Sequence, residues 1–170
     1  MISQKVLDAL TEQLNWELYS AYVYLAMESY ANDAGLTGLA NWMRVQVLEE
    51  MSHADKFMSY INQQGGRVEL KGIAEPPKDY SSMLDTFEKT LEHEKVVTKR
   101  IYALVDLARE NKDHATENFL QWYVSEQVEE ESSVLEIIQK LRLIGGDGNG
   151  LLMIDSQLAT RVFIPPVAQA

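Results

Sequence analysis

The chain has no cysteine among its 170 residues. Disulfides, thiolate metal sites and cysteine nucleophiles are thereby excluded together. No run approaches the roughly 18 apolar residues of a membrane-spanning helix. The opening residues, Met1 to Lys5, lead into an amphipathic pattern with no signal-peptide hydrophobic stretch, so a cytoplasmic location is expected. Basic residues are scarce: 15 Lys and Arg face 26 Asp and Glu, a formal charge of −11. That balance disfavours nucleic acid and anionic membranes as partners and suits the gathering of cations. No Ser-His-Asp grouping, phosphate-binding glycine loop or basic aromatic patch occurs. Hydrophobic residues still make up 46% of the chain, so it folds rather than remaining an acidic coil. Its length is one domain's worth, taken as 1–170, with a substantial core.

The apolar periodicity predicts four long helices and a short fifth. The first runs from about Ser3, an N-cap, to Asn32, and the Asp33-Ala34-Gly35 turn leads to the second, Thr37 to Gln64, stopped at Gly65-Gly66. Residues 67–82 form a long connection in which Pro76-Pro77 bar a helix. The third helix covers about Ser82 to Asn111 and the fourth His114 to Ile144. A glycine-rich hinge over 145–150 precedes a last helix, Leu151 to Val162, ended by Pro165-Pro166. Helices of this length reach roughly 40 Å. Two short joints and one long connection predict an all-α bundle of four helices, about 3–144, with one crossover along its length, plus the C-terminal helix.

Each long helix carries acidic or amide groups where its inward stripe calls for an apolar one. The stripes read Leu7, Leu10, Leu14, Glu17, Ala21, Tyr24/Leu25; then Leu39, Met43, Gln46/Val47, Glu50, His53/Ala54, Phe57, Ile61. The third and fourth give Phe87, Leu91, Glu94, Thr98, Ile101, Val105 and Phe119, Tyr123, Gln127, Glu130, Val134, Ile137, Leu141. A lone buried carboxylate is costly because desolvation disfavours its charge. Four of them near mid-helix, with His53 one turn from Glu50, require a compensating cation. Two divalent ions balance four carboxylates around a neutral histidine, and oxygen-rich ligation with one nitrogen suits iron or manganese. Without metal such a cluster would hold protons.

Glu50-x-x-His53 places both side chains on one helical face. The fourth helix offers Gln127-x-x-Glu130 at the same spacing. Tyr24, seven residues after Glu17, can bring its hydroxyl to the site or simply pack in the core. Glu49, Glu126 and Glu129 lie beside the stripe positions and read either as an adjacent, weaker metal site or as a solvated acidic face. Met51 reads as packing, although methionine can ligate haem. His93 and His114, without matching partners, are expected at the surface.

The segments Asn15-Trp16-Glu17-Leu18-Tyr19-Ser20-Ala21-Tyr22-Val23-Tyr24-Leu25, Glu49-Glu50-Met51-Ser52-His53-Ala54, Gly65-Gly66-Arg67-Val68, Glu75-Pro76-Pro77, His93-Glu94 and Phe119-Leu120-Gln121-Trp122-Tyr123-Val124-Ser125-Glu126-Gln127-Val128-Glu129-Glu130-Glu131 carry a resemblance. Over essentially its full length the chain resembles the non-haem ferritins of bacteria and archaea. The resemblance implies a four-helix bundle plus a short fifth helix, usually assembled as a 24-subunit hollow cage. It implies a ferroxidase centre at which two Fe(II) ions react with dioxygen or peroxide, feeding a ferric oxyhydroxide mineral. Matched position by position, Glu17, Glu50, His53 and Glu94 correspond to ligands of the first iron, and Glu50, Glu94 and Glu130 reach the second. Gln127 resembles the family's amide near the oxygen-binding side and Tyr24 the nearby tyrosine. Glu49, Glu126, Glu129 and Glu130 resemble a third-iron site.

Two departures separate the chain from neighbouring families. Bacterioferritins and rubrerythrin-like enzymes carry a second Glu-x-x-His where this chain has Gln127-x-x-Glu130, so the second iron would be held more loosely. Met51 occupies the place of the bacterioferritin haem ligand, yet non-haem relatives tolerate methionine there and no haem is expected. The alternatives are a di-iron oxygenase or peroxide reductase with the same ligands, and a haem-binding, bacterioferritin-like protein. The small DNA-protecting cages, with metal ligands between subunits, fit poorly.

Overall fold

The computed structural model describes residues 2–165. Pro166, expected to end the last helix with Pro165, lies outside them, as do the two extremes of the 1–170 span. Five helices make up the regular structure of the described residues: α1 (Gln4–Asp33), α2 (Thr37–Gln63), α3 (Met83–Glu110), α4 (His114–Ile144) and α5 (Gly148–Leu158). Their starts are chemically marked. Ser3, Ser82 and Asp113 each accept a backbone N–H from the first turn of α1, α3 and α4. At the end of α2, Gly65 takes φ +77° and Gly66 N–H bonds back to the Ile61 carbonyl at 2.9 Å, closing the helix. A Cβ on Gly66 would sit 2.7 Å from Leu7 Cδ1 and 2.9 Å from Ile61 Cγ2, so any other residue there must displace these side chains as the chain leaves α2 along α1.

The connection then follows α1 from end to end. Lys71 N–H donates to Asn15 Oδ1 at 2.8 Å, and the Tyr80 ring stands 5.3 Å from Tyr30. It starts beside Leu7 and finishes beside Tyr30, so α2 and α3 run parallel while α1–α2 and α3–α4 are antiparallel hairpins. This is the expected four-helix bundle with one long crossover.

The fifth helix begins three residues earlier than predicted, at Gly148, and ends at Leu158. The side chain of Asp147 accepts Gly150 N–H at 2.7 Å, and this cap overrides the flexibility of the glycines around it. Ile154 and Leu158 are buried, but Val162 is 69% exposed and lies beyond the helix. Asp155 ties α5 to the bundle: its oxygens accept Gly38 N–H at 3.0 Å and Leu39 N–H at 2.9 Å. A side chain from α5 thus caps α2, whose own N-cap residue, Leu36, makes no side-chain cap. A Cβ on Gly38 would collide with the Asp155 carbonyl oxygen, so this docking requires glycine.

Inside the bundle the apolar core falls into two clusters. One gathers Met27, Leu39, Met43, Phe87 and Ile138 with α5's Leu158; the other gathers Leu10, Phe57, Ile61, Ile101 and Tyr123. Between them lies a polar layer. Of the predicted stripe positions, Leu25 faces outward at 38% exposure, and Tyr24 takes the inward place.

Candidate metal centre

The layer is assembled from all four long helices: Glu17 from α1, Gln46, Glu50 and His53 from α2, Glu94 from α3, and Gln127 and Glu130 from α4. Every one of these side chains is buried, and Glu17, Glu50 and Glu94 are each 1% exposed. Regular packing puts them there. The three- and four-residue spacing that aims leucines into the two clusters aims these groups into the space between.

Donor atoms of Glu17, Glu50 and His53 lie within 4.8 Å of one another, as do those of His53, Glu126 and Glu130. His53 sits between the two groups, with Nδ1 3.5 Å from Glu50 Oε2 and Nε2 3.9 Å from Glu126 Oε1. Its ring is held edge-on by Trp122 and Tyr123, at centroid distances of 5.5 and 6.0 Å. The Tyr123 hydroxyl donates to the His53 carbonyl at 2.8 Å. Glu94 stands apart from both groups. Its Oε1 accepts the Tyr24 hydroxyl, and its Oε2 accepts Gln127 Nε2 at 3.1 Å. Tyr24 and Gln127 therefore meet the site through the same carboxylate.

The electrostatics are those of a site short of positive charge. Burial pushes the Glu17, Glu50 and Glu130 carboxyls well above the usual range. Neighbouring carboxylates push further: Glu50 acts on Glu17, and Glu94 on both Glu50 and Glu130. Burial raises Glu94 as well, opposed by hydrogen bonds from Tyr24 and Gln127. Among the described residues the Lys or Arg salt bridge that reaches this region is Arg161 with Glu49. As carboxylates, Glu17 Oε2 and Glu50 Oε2 are buried with no N–H or O–H donor facing them, although such oxygens are normally satisfied; a proton shared between the two carboxyls is what links them without a cation. A pair of divalent cations would satisfy both oxygens and return the carboxyls to their charged form, so the donor set fits such ions.

The outer acids divide. Glu49 and Glu126 are half-buried at the edge of the layer, their carboxyls raised by desolvation and by repulsion from Glu129, among other groups. Glu129 itself is exposed and joins neither group of donors. Met51 faces outward at 42% exposure.

His93 corrects the expectation of a surface residue. Its ring stacks on Trp16 at 6.0 Å and meets Tyr24 edge-on at 5.7 Å, while Nε2 lies 2.7 Å from Ser20 Oγ. Desolvation there lowers its pKa to about 4, so it is a neutral side wall of the site. His114 is at the surface, its side chain 88% exposed. Sequence reasoning also passed over Gln46 as a bonding partner. It donates to Glu130 Oε2 at 3.0 Å and Glu50 Oε1 at 3.5 Å. Its place in the inward stripe one turn before Glu50 was the available signal.

Comparison with known proteins agrees with this architecture. Residues 7–144 match the family model of the ferritin-like domain. The chain is 43% identical over 158 residues to the bacterial non-heme ferritin of Campylobacter jejuni, covering 93% of this chain and 95% of that one. It is 40% identical over 163 residues to that of Staphylococcus aureus, covering 96% and 98%. Among solved structures it superposes on an open-pore ferritin of the hyperthermophilic archaeon Archaeoglobus fulgidus with a TM-score of 0.94 at 53% identity, over 95% of this chain and all of that one. A closed form of the A. fulgidus ferritin, engineered by site-directed mutagenesis, gives 0.95 at 53% identity, over 96% and 100%. The five-helix architecture, the carboxylate layer and these likenesses place the chain in the ferritin family, among the non-haem ferritins of bacteria and archaea.

Proposed function

We propose that this ferritin stores iron and oxidises it on entry: Fe(II) is bound at the carboxylate layer, oxidised to Fe(III) by dioxygen or peroxide, and passed on as ferric mineral. The observation that carries this reading is the pair of fully buried carboxylate oxygens without a facing donor, Glu17 Oε2 and Glu50 Oε2, opening toward His53. An apolar core has no use for them, and a hydrogen-bonded structural network would have given them donors.

Fe(II) is here substrate and cargo. The acidic surface gathers it, and Glu49 and Glu126, at the layer's edge, are placed to take it up. Glu17, Glu50, His53 and Glu94 would hold the first ion. Glu50, Glu94 and Glu130 would hold the second, with Glu94 turning from its contacts with Tyr24 and Gln127. On binding, the carboxyls give up the protons that burial has kept on them. Tyr24 donates its hydrogen bond to Glu94 and is raised well above its ordinary pKa by burial and by Glu94 and Glu50, so it stays neutral beside the reaction. Electrons pass from the two Fe(II) ions to the oxidant, and Fe(III) leaves to hydrolyse inside the assembly. Gln127 and Glu130 supply no imidazole, which favours release of the product. Glu49, Glu126, Glu129 and Glu130 would serve a third ion on that route.

The reading carries with it a 24-subunit homo-oligomeric cage, a cytoplasmic setting, and no role for haem, nucleic acid or membrane. Among the described residues no helix is long and apolar enough to cross a membrane. Stopped-flow oxidation of Fe(II) tests the core of it. Glu50→Ala and His53→Ala are expected to lose the rapid phase while circular dichroism and thermal melting still report the folded bundle. Progress curves like those of the unsubstituted protein in both variants would refute the assignment.

A further inference from the structure

Beyond the layer, one cation reaches toward it from a distant part of the chain. Arg161 follows α5 and is fixed by its backbone: Asn41 Nδ2 donates to its carbonyl at 3.0 Å and to that of Leu158 at 3.2 Å. The guanidinium lies 4.2 Å over the Trp42 ring and is only 23% exposed. Nη1 donates to Gln46 Oε1 at 2.9 Å and to the Trp42 carbonyl at 3.3 Å, and Nη2 donates to Glu49 Oε2 at 2.5 Å. Arginine has donors and no acceptor. It therefore fixes the Gln46 amide with its oxygen outward and its NH₂ inward, which is the orientation that donates to Glu130 and Glu50. One guanidinium thus holds an outer acid directly and two inner acids through a single amide.

We propose that Arg161 is a built-in counter-cation of the outer acidic site. It neutralises Glu49 and draws that carboxylate to itself, so iron can occupy the outer position only by displacing it. Through Gln46 it also keeps an N–H donor on Glu130 and Glu50, which competes with the second iron. The C-terminal arm, and not the number of carboxylates alone, sets how weakly the transit iron is held. An ion entering between Glu49 and Glu126 meets a fixed positive charge already hydrogen-bonded to one of its ligands. A charge-assisted bond of this kind is stronger than a neutral one and retains most of its strength when little exposed. Stacking on Trp42 holds the guanidinium in place.

This assignment rests on the iron-binding reading above, and one experiment separates the two. Anaerobic Fe(II) titration by calorimetry, with assembly checked by size exclusion, would be run on the unsubstituted protein, Arg161→Gln and Arg161→Lys. Arg161→Gln is expected to bind the outermost ion about tenfold more tightly. Arg161→Lys keeps the charge but cannot bridge Glu49 and Gln46, and should stay closer to the unsubstituted protein than to Arg161→Gln. A purely structural role would instead make both variants loosen the arm and behave alike. If Arg161→Gln does not assemble, Asn41→Ala frees the arm without changing any charge and should tighten the same event by a smaller factor. Outer-ion affinity unchanged in Arg161→Gln, or in Asn41→Ala where it must stand in, overturns the assignment while the inner binding events stand. An unsubstituted protein that binds no Fe(II) in its inner layer would overturn the iron reading itself, and this inference with it.

Discussion

The ends of the bundle and its waist are made from the same four helical stripes, yet they obey opposite rules. At the ends, Leu10, Phe57, Leu39 and Phe87 are 0% exposed and stabilise the fold through apolar area and dispersion. At the waist, Glu17, Glu50, Glu94 and Glu130 are buried almost as completely and work against it, since their carboxyls must stay protonated or remain poorly compensated. One periodic pattern fills both regions, so burial by itself says nothing about purpose. What separates them is whether the buried groups satisfy one another, and at the waist two carboxylate oxygens face no donor.

The sharpest way to break this comparison is to exchange the effects. Phe57→Ala, which empties a space lined by Phe119 and Tyr123, should cost about 3–5 kcal/mol of stability while the folded protein oxidises Fe(II) normally. Glu17→Leu should do the reverse. Iron oxidation should be lost, and the metal-free protein should be stabilised by about 1 kcal/mol in chemical denaturation, because the relief of a buried acid outweighs the loss of the acceptor for Gln13 Nε2. Loss of stability in Glu17→Leu would mean that the waist is a structural network after all.

A smaller effect concerns pH. The waist carboxyls have raised pKa values in the folded chain, so the folded state holds more protons than the unfolded one above the ordinary carboxylate range. Their contribution to stability is complete below about pH 4.5 and is lost as pH rises through the shifted values. Metal-free protein should therefore melt at lower temperature as pH goes from 5 to 8, with a slope of about 1.4 kcal/mol per pH unit for each proton released. Glu50→Gln should flatten that slope, and Fe(II) binding near neutral pH should release protons in a pH-stat. A slope of the opposite sign, or binding without proton release, would contradict it. Smallest of all, Tyr24→Phe should leave the fold and metal binding intact and alter the oxidation rate only several-fold, on the scale of a lost hydrogen bond to one ligand.

The helical periods foretold the four long helices to within a residue or so at each end, because the stripe was joined by a cap or a breaker at the boundaries. At the start of α2 the Gly35 turn served, where Leu36 makes no side-chain cap. The fifth helix was misplaced where these signals disagreed. Four glycines around Asp147 read as a hinge, although one Asp cap suffices to start a helix there. Glu17, Glu50, His53, Glu94, Gln127 and Glu130 were readable as a layer because each stands in an apolar stripe. His93 was not, since it faces sideways into Ser20 and Trp16, contacts between α1 and α3 that no single helix's pattern encodes. Asp155 and Arg161 were hidden for the same reason, acting on α2 from more than a hundred residues away.

The most direct test of the central claim is the iron retained per chain after aerobic Fe(II) loading and desalting by size exclusion, with mass measured on the same column. The account predicts far more iron than Glu17, Glu50, His53, Glu94, Glu130 and the outer acids can coordinate, eluting with a large assembly. Iron that stops at what those side chains can hold, on a small oligomer, would contradict storage and leave a di-iron enzyme in its place.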